Sequence, residues 1–243
     1  MAHLYDDLWP GTRFLRDSGG FPLGTDSVLL ADFAGANGRI RAFADLGCGA
    51  GVLTVLLLQK LADARAFGIE LQPEAAGLTI ENLAANGLSD RAEIRCGDLR
   101  ERSELPPAGS MDLVVANPPY FAAGSGYTAP DAKRAAARDE RTCTLEDVCR
   151  AAAYLCRWGG SFAVVHRPER LSELFCAMTA CGIEPKRLRL VSPTATRAPS
   201  LVLAEGRRGG KPGLTILPPL VLQDEDGADS PEIRRIYHME KEQ

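Results

Sequence analysis

The sequence predicts an α/β domain built on a mostly parallel sheet with helices on both faces. Three observations carry that expectation. Strand-like and helix-like segments alternate from residue 42 onward, the pattern of parallel strands joined by crossover helices. A glycine-rich turn, Asp45-Leu-Gly-Cys-Gly-Ala-Gly51, joins the first such strand to the first helix. The last two strand-like segments have no helix between them, so an antiparallel hairpin is expected at one edge.

Residues 1–40 stand outside the alternation. Residues 13–23 read as a small hairpin turning at Gly19-Gly20, and residues 25–34 (TDSVLLADFA) as a helix leading into the core. Residues 41–45 (RAFAD) form the first strand, and residues 52–63 have helical apolar spacing. Residues 66–70 (AFGIE) are a second buried strand. Residues 73–86 follow as a helix, with Pro73 in its first turn and Gly87 beyond its end. Residues 92–96 and 111–116 are the third and fourth strands. A helix is expected over 145–157 with Thr144 as its N-cap. A fifth strand covers 161–166 and a helix covers 170–181, closed by Gly182. Residues 186–191 and 200–204 complete a sheet of seven strands. The whole reads as one domain, with an extension at 1–40, the alternating unit at 41–211 and a tail at 212–243 packing on it. The loop at 121–144 is about twice the length at which function or disorder is expected.

Composition narrows the class. Of 243 residues, 45% are hydrophobic and 25% charged, which excludes a disordered chain, a collagen-like chain and a membrane-spanning bundle. The apolar run 52–58 is too short to cross a bilayer, and the first residues have no apolar core of signal-peptide type. A soluble cytoplasmic protein is expected. Seven cysteines at 48, 96, 143, 149, 156, 176 and 181 form no C-x-x-C pair. They are expected to be small buried hydrophobes in a reducing compartment, with neither a zinc site nor a disulfide framework. The net charge of −4 is a cancellation: residues 1–120 carry −6, 121–211 carry +6 and 212–243 carry −4.

The glycine turn is a candidate nucleotide site. Its spacing is G-x-G-x-G, not the G-x-G-x-x-G of dinucleotide-binding proteins, and the leading acid, Asp45, would repel a pyrophosphate. An acid there suits a cationic, amine-bearing ligand. Glu70, 25 residues further on, ends the second strand, where one carboxylate can accept from two hydroxyls. Asp98 follows the third strand in the same way. Three acids at the carboxyl ends of three successive strands lie where open α/β sheets bind ligands.

The fourth strand ends in Asn117-Pro118-Pro119-Tyr120. Two prolines stiffen the backbone and remove two donors. The Asn117 side-chain oxygen and the Pro118 carbonyl can then grip an NH₂ group, while Tyr120 offers a flat face for a planar partner. Such a site works by positioning more than by acid–base chemistry.

DLGCGAG resembles motif I of S-adenosylmethionine-dependent methyltransferases, and NPPY resembles motif IV of those acting on planar exocyclic nitrogens. The resemblance implies the Rossmann-like class I methyltransferase fold, with S-adenosylmethionine as cofactor and no metal. Asp45, Leu46, Gly47, Cys48, Gly49 and Gly51 would line the cofactor, with Asp45 near its amino group. Glu70 would meet the ribose and Asp98 the adenine, Leu71 and Leu99 would also line the cofactor, and Asn117 would meet both cofactor and target. Asn117, Pro118, Pro119 and Tyr120 would form the catalytic set. GTDSVLLADFA (24–34), ARDERTCTLEDV in the long loop, LPPLVLQDEDG (217–227) and SPEIRRIY (230–237) resemble the bacterial tRNA1(Val) adenine-N6 methyltransferase family over about residues 12–238. That implies adenine N6 in tRNA as the methyl acceptor. The alternative, glutamine-N5 of release factors, normally goes with a helical recognition domain, which the 44 residues before Asp45 do not resemble.

The same resemblance places Thr25 and Asp26 beside the cofactor and target pocket, and Arg138, Asp139 and Glu140 in a lid. Lys133, Arg134 and Arg141, beside Gly124-Ser-Gly126, are candidate phosphate contacts. So are Lys186, Arg187 and Arg189, and a third group of Arg207, Arg208 and Lys211. His166 is expected to be a structural strand-end histidine, and Trp158 to pack at a helix end. The tRNA substrate is the expected partner, with no membrane. The oligomeric state stays open, a monomer being the simpler expectation.

Overall fold

The computed structural model describes residues 5–6, 11–15, 24–34, 39–118 and 143–237. Two short strands, β1 (Tyr5–Asp6) and β2 (Phe14–Leu15), pair antiparallel ahead of helix α1 (Thr25–Ala34). The first arm of the expected hairpin therefore pairs back on residues 5–6, and the turn at Gly19-Gly20 lies outside the described residues. The alternating unit then follows: β3 (Ala42–Leu46), α2 (Val52–Lys60), β4 (Arg65–Glu70), α3 (Pro73–Ala85), β5 (Ala92–Cys96) and β6 (Met111–Ala116). Beyond the long loop come α4 (Leu145–Leu155), β7 (Cys156–His166), α5 (Leu171–Ala180), β8 (Ile183–Ser192) and β9 (Leu201–Arg208). Strands β10 (Thr215–Ile216) and β11 (Leu220–Val221) and helix α6 (Pro231–Ile236) close the described chain.

Among the described residues the sheet has nine strands in the order β10-β8-β9-β7-β6-β3-β4-β5, with β11 also paired to β8. All neighbours from β5 to β7 are parallel, and β9 runs antiparallel between β7 and β8. The expected edge hairpin is thus present. The count of seven strands is corrected to nine, because residues 215–216 and 220–221 add to β8 as parallel strands. The tail therefore extends the sheet besides covering it. Arg189 fastens it, donating to the Pro218 carbonyl at 3.0 Å and pairing with Glu232 at 2.7 Å.

Side chains alternate across the parallel strands, as a period of two demands. Phe43, Leu113, Val115, Ala163 and Val165 face one core with α1 and α2, while Ala44, Leu46, Val114, Phe162 and Val164 face a second with α4 and α5. Helix α4 starts in a capping box, Thr144 Oγ1 accepting from the Asp147 N–H at 3.2 Å and Asp147 Oδ2 from the Thr144 N–H at 3.0 Å. Its end differs from expectation. The helix stops at Leu155, and Cys156 pairs with Met111 as the start of β7. A register shift follows, and a Cβ on Gly160 would sit 2.9 Å from the Arg157 carbonyl. Trp158 is therefore not helix-end packing. It lies in β7, 76% exposed, with its ring against Gly209.

Among the described residues no helix is long and apolar enough to cross a membrane. All seven cysteines are free, but only Cys48, Cys149 and Cys156 are buried; Cys96 and Cys176 are exposed. Burial pushes the Cys149 and Cys156 thiols up to about 12, so both stay protonated hydrophobes.

Candidate active site

Four adjacent strands, β5, β4, β3 and β6, end level at their carboxyl edge. Leu46 pairs with Ile69 on one side and Ala116 on the other, and Glu70 pairs with Cys96. The residues singled out at these ends, Asp45, Glu70, Asp98 and Asn117, therefore lie along one edge, as open parallel sheets arrange their ligand sites.

Glu70 organises the glycine turn. Its Oε2 accepts from the Gly49 N–H at 2.9 Å and its Oε1 from the Gln72 N–H at 3.0 Å. A carboxylate has about four acceptor directions, so both oxygens keep a lone pair for a diol. Gly49 turns in the left-handed region at φ 55°, and a Cβ there would point into open space. The turn thus forms an open cradle. Gly51 has a different reason to be glycine: its φ is 79° and a Cβ would stand 2.6 Å from Thr79 Cγ2. That contact lets α3 close on the turn. Thr79 Oγ1 then donates to the Gly49 carbonyl at 2.5 Å, and Asn82 Nδ2 to the Ala50 carbonyl at 2.8 Å.

Asn82 is fully buried, and its Oδ1 accepts from the Leu15 N–H at 2.7 Å. Asn86 accepts from the Arg13 N–H at 3.0 Å and donates to the Arg13 carbonyl at 2.8 Å. These two asparagines strap residues 13–15 to the helix that holds the cradle. Sequence reading missed them; polar residues at spacing four on one helix face were the available signal.

Asp45 is 1% exposed and accepts from Thr54 Oγ1 at 2.6 Å. Burial pushes its carboxyl up to about 7, and the nearby Glu70 charge adds to that. Leu46 and Cys48 are buried beneath the turn, so their side chains face the core; Cys48 Sγ lies 3.8 Å from Thr79 Oγ1. Leu71 is 47% exposed beside Glu70, and Leu99 is half-buried. Together they offer an apolar surface beyond the diol position. Asp98 is held by Arg100, whose Nε donates at 2.9 Å and whose backbone N–H donates at 2.9 Å, and this keeps its carboxyl below the usual range.

Asn117 directly follows β6. Its Nδ2 donates to Ser27 Oγ at 3.0 Å. Sequence reading named Thr25 and Asp26 from this stretch; the residue that reaches Asn117 is Ser27. Thr25 instead lines a separate cleft together with Tyr237. Half-buried Pro118 is described, whereas Pro119 and Tyr120 lie outside the described residues. So do Gly124-Ser-Gly126, Lys133, Arg134, Arg138, Asp139, Glu140 and Arg141.

The other basic groups lie among the described residues. Arg187 pairs with Glu205 at 3.0 Å and covers the Phe33 ring at 4.4 Å, and Arg189 anchors the tail. Arg208 donates to the Cys181 carbonyl at the end of α5, and Lys186 to the Lys211 carbonyl at 3.1 Å. β9 begins at the carboxyl edge and runs away from it, so Arg207, Arg208 and Lys211 lie at the opposite end of the sheet. The Lys186, Arg187, Arg189 and Arg208 side chains thus hold partners within the fold. His166 behaves as expected. It is 1% exposed and its Nδ1 accepts from the Arg167 N–H at 2.8 Å. Burial, with the Arg170 cation, holds it down at about 4.

Residues 23–170 match the methyltransferase small domain family. A tRNA1(Val) (adenine(37)-N6)-methyltransferase from Porphyromonas gingivalis is 35% identical over 83% of this chain and 81% of its own length. The protein of the same name from Tolumonas auensis is 32% identical over 89% of this chain and 88% of its own. In fold, the chain is similar to a predicted O-methyltransferase from Agrobacterium tumefaciens, with TM-score 0.73, 22% identity, and 88% and 96% of the two chains covered. It is more distantly similar to the geranyl diphosphate C-methyltransferase of Streptomyces coelicolor, solved with S-adenosyl-L-homocysteine, with TM-score 0.55, 15% identity, and 75% and 76% covered.

Proposed function

The chain belongs to the methyltransferase small domain family, and from that premise we infer that it moves the methyl group of S-adenosylmethionine onto the exocyclic N6 of an adenine in tRNA. The observation that carries this reading is the neighbourhood of Asn117. Its amide lies at the end of β6, one strand from the glycine cradle on β3, with its nitrogen bonded to Ser27. The acceptor grip and the donor cradle are therefore adjacent. Relatives that share most of the chain carry the name tRNA1(Val) (adenine(37)-N6)-methyltransferase, which favours adenine over a protein glutamine.

The cradle fits the cofactor. Glu70 retains acceptor capacity for two ribose hydroxyls, Leu71 and Leu99 supply an apolar bed for the adenine, and Asp45 supplies negative potential below the turn. When bound, S-adenosylmethionine supplies a methyl group already activated by its sulfonium. The protein's task is then alignment. Asn117 Oδ1 and the Pro118 carbonyl accept the two N–H groups of the target amine. That turns the nitrogen lone pair out of the ring plane and toward the methyl. Tyr120 stacks on the base, which must first leave its loop stack. A tRNA substrate goes with a cytoplasmic enzyme.

The direct test is transfer of labelled methyl from S-adenosylmethionine to total RNA and total protein, followed by nucleoside analysis. N6-methyladenosine in the tRNA fraction is the expected product. Label confined to protein as methylglutamine overturns the substrate.

A further inference from the structure

A second cleft opens on the same edge of the sheet, on the far side of α1. Its volume is about 340 Å³, and Thr25, Pro193, Gln223, Asp229, Ile233 and Tyr237 line it. That is within the range of small-ligand sites, about 300–1,000 Å³. Three elements build it. Pro193 directly follows β8, which is parallel to β7 and ends at the carboxyl edge. Gln223 and Asp229 face each other across an isolated antiparallel bridge, and the Gln223 N–H donates to the Pro193 carbonyl at 2.9 Å. Ser230 then caps α6, accepting from the Ile233 N–H at 3.2 Å, and α6 packs on α1 and β11. Both polar side chains thus stand on a backbone pinned at several points.

Its relation to the acceptor grip is set by α1. Thr25 and Ser27 are two residues apart at the start of this helix, so their side chains diverge. Ser27 reaches Asn117, while Thr25 lines the second cleft with Tyr237. The first turn of α1 is therefore the wall between the two.

The chemistry of the lining narrows the occupant. Among the described lining residues none is cationic, and the Asp229 and Asp26 carboxylates both act on Tyr237. A phosphate is repelled there. A planar neutral group with N–H donors is favoured: Asp229 accepts, the Gln223 amide both accepts and donates, and Pro193 and Ile233 give apolar walls. A nucleobase edge with an exocyclic amine has that pattern.

We propose that this cleft is a subsite for the nucleobase adjoining the target adenine, held unstacked on the far side of α1 and read through Asp229 and Gln223. The inference rests on the tRNA reading above. It names residues that select the substrate by base contacts, where phosphate contacts cannot.

The test uses the full chain and two sets of RNA, a tRNA transcript and transcripts with an abasic nucleotide immediately before or immediately after the target adenine. Asp229→Ala and Gln223→Ala should each raise KM for the intact tRNA by about tenfold, the effect of about 1.4 kcal/mol. kcat at saturating RNA, cofactor affinity and melting temperature should be unchanged. Wild type should show the same rise on one of the two abasic RNAs, and the variants no further rise on that RNA. An unaltered KM in both variants overturns the subsite, and so do variant and abasic effects that add in full at both positions. Wild type that methylates no adenine in any tRNA removes the underlying reading, which the intact substrate reports separately.

Discussion

Asn117 and Ser27 form the contact on which the proposed chemistry turns. Removing the acceptor oxygen while keeping the cradle should separate catalysis from binding. Asn117→Ala is expected to abolish methyl transfer in single-turnover assays while calorimetric affinity for S-adenosylmethionine stays within about twofold, less than 0.5 kcal/mol. Ser27→Ala leaves the amide in place and removes one of the bonds that orient it. It should lower kcat about tenfold, or about 1.4 kcal/mol, with cofactor affinity unchanged, and Ser27→Thr should restore part of the loss. Asp45 gives a pH-dependent outcome. Its carboxyl is raised to about 7 by burial, so below that pH it is largely neutral and attracts a cationic ligand less. Cofactor affinity should fall as pH drops from 8 to 6, and Asp45→Asn should bind more weakly at pH 8 with a flatter profile. The folded state here binds the extra proton between pH 3.8 and about 7, so the ligand-free protein loses stability as pH rises through that window. Asp45→Asn should therefore melt higher than wild type at pH 8, a gain in stability at the expense of binding.

At the scale of elements, the cradle is a contract between the glycine turn and α3. Gly51→Ala has to hold a side chain at φ 79° and push against Thr79 Cγ2 at 2.6 Å. The left-handed conformation alone costs roughly 1–2 kcal/mol. The variant is expected to lose melting temperature and cofactor affinity together. Thr79→Ser, which keeps the hydroxyl bonded to Gly49 and removes the clashing methyl, should return part of both in the double variant. The end of α4 shows why element boundaries were harder to read. AAAYLCRW has apolar spacing that suits a helix through Arg157, but Cys156 is extended at φ −60° and ψ 127°. The tie is broken by Met111 on β6, 45 residues earlier, which takes Cys156 as its ladder partner. Trp158 follows from the same pairing: as the helix ends early, its ring stands outside.

Across the whole molecule, linear charge is uneven, the basic excess of residues 121–211 beginning straight after Tyr120. Two of its arginines pair with acids outside that stretch, Arg157 with Asp112 and Arg189 with Glu232. The antiparallel course of β9 carries Arg207 and Arg208 away from the cleft. His166 couples the core to pH. It is neutral when folded, held at about 4 against 6.5 when exposed, so the unfolded chain takes up more protons between those values. Stability should be full above about pH 6.5 and fall as pH is lowered toward 4. Urea titrations across that window should show a shallower pH dependence in His166→Gln, and an equal slope in both proteins would exclude His166 as the source.

The sequence by itself determined the strand–helix alternation, the antiparallel edge and the acids at three successive strand ends. All are local patterns: periodicity of two or 3.6, glycines where the turn needs them, and polar residues where a buried strand emerges. The strand that delivers Asn117 and Pro118 was legible for the same reason, as a short apolar run ahead of consecutive prolines. Tertiary structure alone decided which side chains meet across the chain. Ser27 meets Asn117 at a separation of 90 residues, Asn82 meets Leu15 at 67, and Arg189 meets Glu232 at 43. It also turned residues 215–216 and 220–221 into sheet strands, although two-residue segments carry no period to read. The physical division is one of range. A side chain's type and its neighbours in sequence set what it can do, whereas the packing of distant elements sets what it is used for, and so an arginine that resembles a phosphate contact becomes the fastener of a tail.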